Sequence, residues 1–426
     1  MFRHTKSAVV AAITLLALMQ AVPGQTGKPR NIDAFVQPFV KAGQFSGVVL
    51  ASENGRIIYE KAFGYANADY KIPNEKNTRI GIASITKLMT GVIRSRLVEE
   101  KKISMDDKLS KYIPDFPNGD KITIDMLASH RAGIPHRVMP PEQEAVQHSS
   151  VDMVERIKAA KLLFEPGTKR LYSSAGYTLL ARVLEIASGK SYAQLLEEYV
   201  FRPAAMRDSL DFDSEAIMDR RAQDYWLDES GPINAALKDY SFLVGAGSVF
   251  STAADLNRFG EAIIDGKYGQ ELKTRLVGSE NNIAGSGSTN GHRSYLEIEK
   301  DKKYSYVVIA NLSCGAFDTI QQGIRDIMRG KNVPPPVVVN PKIIPNPNKD
   351  LSEFLGKYRA PDGSETELFL RGAYLYATDI KLYPTAPDCF FEYKFFGNVC
   401  FVRDAAGKIK EIQWKGSNFS LSWAKE

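Results

Sequence analysis

Beyond its first two dozen residues, this 426-residue sequence has no apolar run long enough to cross a bilayer, no repeat at a fixed period and no large excess of either charge. The first absence excludes helices threaded through a membrane, and the second excludes solenoids and propellers. A formal net charge of +5 is too small to argue for nucleic acid. Cysteine is scarce, and the three present fit an oxidising compartment only in part. Cys389 and Cys400 can close a hairpin, which leaves Cys314 unpaired, while three buried free thiols fit equally well. His130 and His136, six apart around a Gly-Ile-Pro turn, match no helical or hairpin metal pair and have no evident third ligand, so no metal is expected.

What is present is ordinary globular material, 44% hydrophobic and 25% charged, and long enough for two or three domains. Arg3, His4 and Lys6 precede an apolar stretch from Ala8 to Met19, and Val22-Pro23-Gly24 offers small residues at a cleavage point. Such a stretch is too short to span a bilayer and reads as a secretory signal over residues 1–24, which makes the protein an exported one, periplasmic or extracellular, without a membrane anchor after cleavage. Removing its two formal positive charges takes the net charge from +5 to +3.

Ile32 to Val40 reads as a short amphipathic helix. It leads into two β-branched runs, Ser46 to Ser52 and Arg56 to Glu60, joined across Asn54-Gly55, the strongest short hairpin signal. A mostly helical stretch with Pro and Gly punctuation follows to about Phe212. Strand patterns return in Ser294 to Ile298 and Tyr304 to Ala310, and Phe317 to Met328 closes as a helix. Strands from both ends of one unit, residues 25–332, imply a mixed sheet with a helical insertion over about 98–240, and a cleft where the two meet. Residues 333–349 hold Pro334-Pro335-Pro336, Pro341, Pro345 and Pro347, which favour an extended linker. Residues 350–426 are rich in aromatic and β-branched residues, with turn signals at Asp362-Gly363, Gly397-Asn398 and Gly407, and read as a small separate β domain with Trp414, Trp423 and Phe390-Phe391 in its core.

The feature that carries chemistry is Ser84-Ile85-Thr86-Lys87. Residues three apart share a helix face, so the Lys87 ammonium can reach the Ser84 hydroxyl and help remove its proton. The motif is common by chance, but here a hairpin precedes it and Leu88, Met89, Val92, Ile93 and Leu97 follow at helical spacing, which carries the serine into the interior.

From Ile80 to Pro135 the order Ser84-x-x-Lys87, Leu97 to Asp107, Tyr112-Ile113-Pro114, Ile122 to Leu127, His130 and Gly133, followed by Phe164-Glu165-Pro166-Gly167-Thr168 and Tyr172-Ser173-Ser174-Ala175-Gly176-Tyr177, resembles the serine β-lactamase and penicillin-binding superfamily, notably the class C β-lactamases and the esterases and D-amino-acid peptidases related to them. The resemblance runs from about Ile32 to Met328. It implies an α+β fold, an antiparallel sheet flanked by helices beside an all-helical subdomain, and an acyl-enzyme on Ser84 with Lys87 as proton acceptor or electrostatic aid and Tyr172 as proton carrier. No cofactor is implied, and the partner is a small ester, peptide or amide.

Two departures accompany it. Ser174 stands where relatives carry the asparagine of Tyr-x-Asn, and offers one hydroxyl in place of an amide. The third motif, Lys or His then Thr or Ser then Gly, is best matched by Gly285-Ser286-Gly287-Ser288, which keeps the hydroxyl and glycine and loses the cation. Ser286, Gly287 and Ser288 would line the substrate, with the amides of Ser84 and Ser288 as oxyanion hole. The lost cation implies poor activity on anionic substrates. His292 nearby is a substitute charge or, more ordinarily, a packing residue. A binding module that no longer turns over, and a class C β-lactamase with repositioned charge, are the other readings. Gly245-Ala246-Gly247-Ser248 lacks the lysine of a phosphate cradle and is expected to be purely structural, ahead of a helix capped by Ser251 or Thr252.

Overall fold

The computed structural model describes residues 27–270, 272–273, 282–345, 350–361, 365–416 and 419–426. The expected signal segment and the Asp362-Gly363 turn lie outside the described residues.

The sheet grows from the hairpin Gly47–Glu53 and Arg56–Phe63, turned at Asn54 and Gly55, both at positive φ (52° and 73°) as a tight primed turn requires. Strand Tyr304–Ala310 pairs with Gly47–Glu53 and with Arg293–Glu299, and Asn282–Ser288 forms the far edge. Every pairing in this five-stranded sheet is antiparallel, so the mixed sheet expected from the two chain ends is corrected. The two ends meet edge to edge, and an antiparallel neighbour needs no crossover.

Tyr304–Ala310 is buried throughout because both its faces are covered, and strand alternation deals its residues to two cores. Val49, Ala51, Tyr306 and Val308 pack on Ile32, Val36 and Phe39 of helix Lys28–Lys41 and on Phe317, Ile320 and Ile324 of helix Ala316–Met328. Val48, Leu50, Val307 and Ile309 face the opposite core, shared with Ile85, Met89 and Val92 of the serine segment and Leu256 and Phe259 of helix Ala253–Ile264. The serine segment is thus held from below by the sheet and from above by the helical insertion. That insertion also carries a short hairpin, Tyr225–Asp228 with Gly231–Asn234, which the helical reading omitted.

The linker is extended where described but does not hang free. Val333, Val338, Val339 and Ile343 alternate with its prolines and pack on the helix-covered face, and the Gln44 amide donates to the Val339 carbonyl at 2.6 Å. The C-terminal β domain is a closed eight-stranded barrel. Phe390, Trp414 and Trp423 fill it, whereas Phe391 points out and packs with Phe396 against the sheet-domain core that includes Cys314 and Phe317, so the barrel is docked on the sheet domain. Gly397-Asn398 opens strand Gly397–Arg403 instead of forming a turn, because Glu392 accepts the Phe395 and Gly397 amides and closes the turn one step earlier. Cys389 and Cys400 sit opposite each other on adjacent strands and are bridged, and Cys314 is a buried free thiol.

Candidate active site

Ser84 lies in the single 3₁₀ turn Ala83–Ile85 that runs into helix Thr86–Glu99. Ala83 just before it has φ +46°, a left-handed conformation that costs an alanine about 1 kcal/mol and exposes the next side chain at the mouth of a cleft. The turn is fixed through Ile82, whose carbonyl accepts from the Ser294 hydroxyl at 2.7 Å.

Two groups converge on the hydroxyl. The Tyr172 phenol donates to Ser84 Oγ at 2.8 Å, and Lys87 Nζ lies 3.3 Å from the same oxygen. Lys87 Nζ also donates to Ser174 Oγ at 3.2 Å and to the Ala246 carbonyl at 2.7 Å. Among the described residues no carboxylate stands within ion-pair distance of Lys87. Its ammonium is held by neutral acceptors and by the faces of Tyr172 and Tyr177, 4.9 and 5.6 Å away. Burial without a counter-ion disfavours the charged form and brings Lys87 down to about 7. Tyr172 moves the other way. Partial burial raises its phenol above the ordinary value, and its hydrogen bonds with Ser84 and Ser174 offset only part of that. The pair is therefore sorted: near neutral pH a fraction of Lys87 is free amine, while Tyr172 stays a phenol.

Tyr172 and Ser174 owe their places to a loop that two histidines hold. His130 Nδ1 accepts the Ser173 amide and His136 Nδ1 accepts the Ser174 amide, each at 3.2 Å, and their rings lie 4.5 and 5.5 Å from that of Tyr172. Burial, then the charge of Lys87, pushes His130 down to about 4, so it is neutral at neutral pH and free to accept. Ser173 caps the helix Ser174–Ser188 that follows, accepting the Gly176 amide.

Across the cleft, Gly287 meets the serine turn. A Cβ on it would lie 2.2 Å from the Ile82 carbonyl and 3.0 Å from the Ser84 amide nitrogen, so only glycine lets the two backbones approach. Ser288 lines the cavity together with Thr289, while Ser286 is exposed and outside the lining. Gly285 faces Leu88 of the serine helix and supplies no charge.

The cavity, about 160 Å³, is walled by Ser84, Tyr172 and Ser174 and by the apolar Val138, Met139, Met153 and Phe242. Lys238 and the almost fully buried Glu144 form an ion pair in its wall, and Arg137 stands at its rim. Sequence reading missed Ala246 as the lysine's acceptor, and missed Glu144, Lys238 and the hydrogen bonds of both histidines. The Gly-Ala-Gly turn was the one available signal, since flanking glycines leave a carbonyl free to bend toward a partner. Thr252 is the cap of the next helix, accepting the Asp255 amide.

The family described as Beta-lactamase matches residues 32–311. The chain is 32% identical over 257 residues to penicillin-binding protein 4* of Bacillus subtilis (strain 168), covering 55% of this chain and 56% of that protein. It is 28% identical over 232 residues to the teichoic acid D-alanine hydrolase of Staphylococcus aureus (strain MRSA252), covering 54% and 56%. The chain spans little more than half the length of these curated relatives. Among solved structures, a penicillin binding protein from Bacillus halodurans aligns with a TM-score of 0.60 at 25% identity, over 68% of this chain and 98% of that one.

Proposed function

The chain belongs to the beta-lactamase family, and from that premise we propose that it is a serine hydrolase working through an acyl-enzyme on Ser84, with a small ester or a D-residue peptide or amide as acyl donor. The observation that carries the reading is the convergence of Tyr172 Oη and Lys87 Nζ on one serine oxygen at the edge of a cavity.

In the proposed reaction the Ser84 proton passes to the free amine of Lys87, directly or through the Tyr172 hydroxyl. Oγ bonds to the substrate carbonyl carbon, and the carbonyl electron pair moves onto oxygen, where the amides of Ser84 and Ser288 receive it. The tetrahedral species collapses, the bond to the leaving group breaks, and the leaving group takes the proton back. Water then repeats the sequence on the acyl-enzyme. The relative named for D-alanine hydrolysis supports a D-amino-acyl donor, and the compact cavity suits so small an acyl group. The Cys389–Cys400 bridge supports an exported, oxidising location.

A screen of p-nitrophenyl esters, D-alanyl peptides and a chromogenic cephalosporin, with intact-mass detection of the Ser84 adduct, tests this. Turnover and labelling by wild type, both absent in Ser84→Ala, are expected; equal labelling of the variant removes the hypothesis. The loss of a cation at Gly285 favours a second reading, a module that acylates without release. An adduct that persists for hours with no product would select it.

A further inference from the structure

His292 is fully buried, does not line the cavity, and belongs to none of the steps above. It is nevertheless built into a network that touches both walls of the cleft. Nε2 lies 2.8 Å from Asp224 Oδ1, a close polar contact without hydrogen-bond alignment, and the other Asp224 oxygen accepts the Tyr240 hydroxyl. The Tyr240 ring stacks on the imidazole at 5.8 Å, and Phe250 meets it edge-on at 5.3 Å. On its remaining side the imidazole presses on Gly81, three residues before the nucleophile, where a Cβ would lie 2.3 Å from Nδ1.

The backbone side of this network leads to the opposite wall. The His292 carbonyl accepts the Thr289 amide at 3.0 Å, and the Tyr240 hydroxyl lies 3.0 Å from the Asn290 carbonyl. Ser288 and Thr289, at the end of a strand with a single neighbour among the described strands, are therefore tied through His292 and Tyr240 to the strand Ile80–Gly81 that delivers Ser84. An edge strand that ends beside the reacting carbonyl needs such a tie, because an oxyanion donor works only when held to within a few tenths of an ångström.

We propose that His292, clamped by Asp224 and Tyr240, is a positioning residue that sets the spacing between the serine turn and the edge strand bearing the Ser288 amide. The inference rests on the acyl-enzyme reading. Asp224 abuts the imidazole from the hairpin side, and Tyr240 anchors the turn itself.

The test compares wild type with His292→Phe, which keeps a ring and loses the polar contact with Asp224, and His292→Gln, whose amide nitrogen can restore a polar contact there. Each is assayed for kcat and KM on a p-nitrophenyl ester, for affinity toward a phenylboronic acid that mimics the tetrahedral species, and for Tm. For His292→Phe we expect kcat and boronate affinity to fall together by about 10- to 100-fold, with KM within about 2-fold, by analogy with loss of an oxyanion donor. His292→Gln should recover most of that loss. Tyr240→Phe, read the same way, decides the matter if His292→Phe does not fold. A His292→Phe enzyme with wild-type kcat and boronate affinity, or one whose Tm alone falls, overturns the positioning role. Wild type without turnover or labelling overturns the hydrolase reading and this inference with it, whereas unchanged turnover in the variant overturns this inference alone.

Discussion

The two walls of the cleft are furnished unequally. On the serine wall a hydroxyl, a phenol and an amine meet within hydrogen-bond reach, and each is fixed by further partners: Ala246 and Ser174 for the lysine, His130 and His136 for the tyrosine loop. The edge-strand wall gives backbone and space. Gly287 permits close approach, and Gly285 leaves no charge where a cation is expected. The difference separates two tasks, since moving a proton needs groups of matched acidity whereas choosing a substrate needs complementary charge. On the proposed reading, this chain has the groups for the first and no cation at Gly285 for the second.

The largest expected effect comes from stripping the serine wall. Lys87→Met should lower kcat/KM on an activated ester by about 10³-fold, within the usual range for a general base. Wild-type kcat/KM should rise with pH through about 7 as the amine is freed, and the variant should lack that limb. The same substitution sharpens the stability side. A folded-state value of about 7 against the ordinary lysine value means that below 7 Lys87 is charged in both states and its burial penalty is fully present. The penalty disappears as pH climbs from about 7 toward the unfolded value. Lys87→Met should therefore raise Tm more at pH 6 than at pH 10, and calorimetry at the two pH values shows the sign.

Breaking the opposite wall should cost less. Gly287→Ala forces a methyl against the Ile82 carbonyl and the Ser84 amide, and should reduce kcat by about 10²-fold while Ser84 remains labelled by a fluorophosphonate. An unaffected kcat would mean that the two backbones are not required to meet. Smaller still is the gain expected from refilling the altered position. A Cβ at Gly285 would press on the flexible end of Leu88 at 2.9 Å and meet Ile85 at an ordinary 3.7 Å, so Gly285→Lys should be accommodated, and hydrolysis of an anionic cephalosporin should rise by about 10-fold relative to a neutral ester. Least of all should the site feel the barrel's disulfide. Cys389→Ser with Cys400→Ser should destabilise the barrel by about 2 to 3 kcal/mol, seen as a lower denaturation midpoint, with kcat on the ester unchanged.

How much of this was legible differs along the chain. The hairpin at Asn54-Gly55 was readable because a primed turn demands those residue types, and the serine helix because its apolar spacing has a single period. Phe391 was misread as barrel core because alternation says which residues share a face but not which face meets a neighbouring domain. The histidines are a sharper case. Dismissed as metal ligands by spacing, they accept two amides of a loop more than thirty residues away, a relation that local sequence cannot express.

The sequence by itself determined the first hairpin, the serine helix and the reactive pair: residues three apart on a helix must share a face, so Ser84 and Lys87 were neighbours before any fold was known. Only the tertiary structure decided what Lys87 is. Its acidity depends on being enclosed by Tyr172, Tyr177 and the Ala246 carbonyl with no carboxylate among its described neighbours, and those groups come from segments far apart in the chain. Desolvation belongs to the assembled interior, and no single segment carries it.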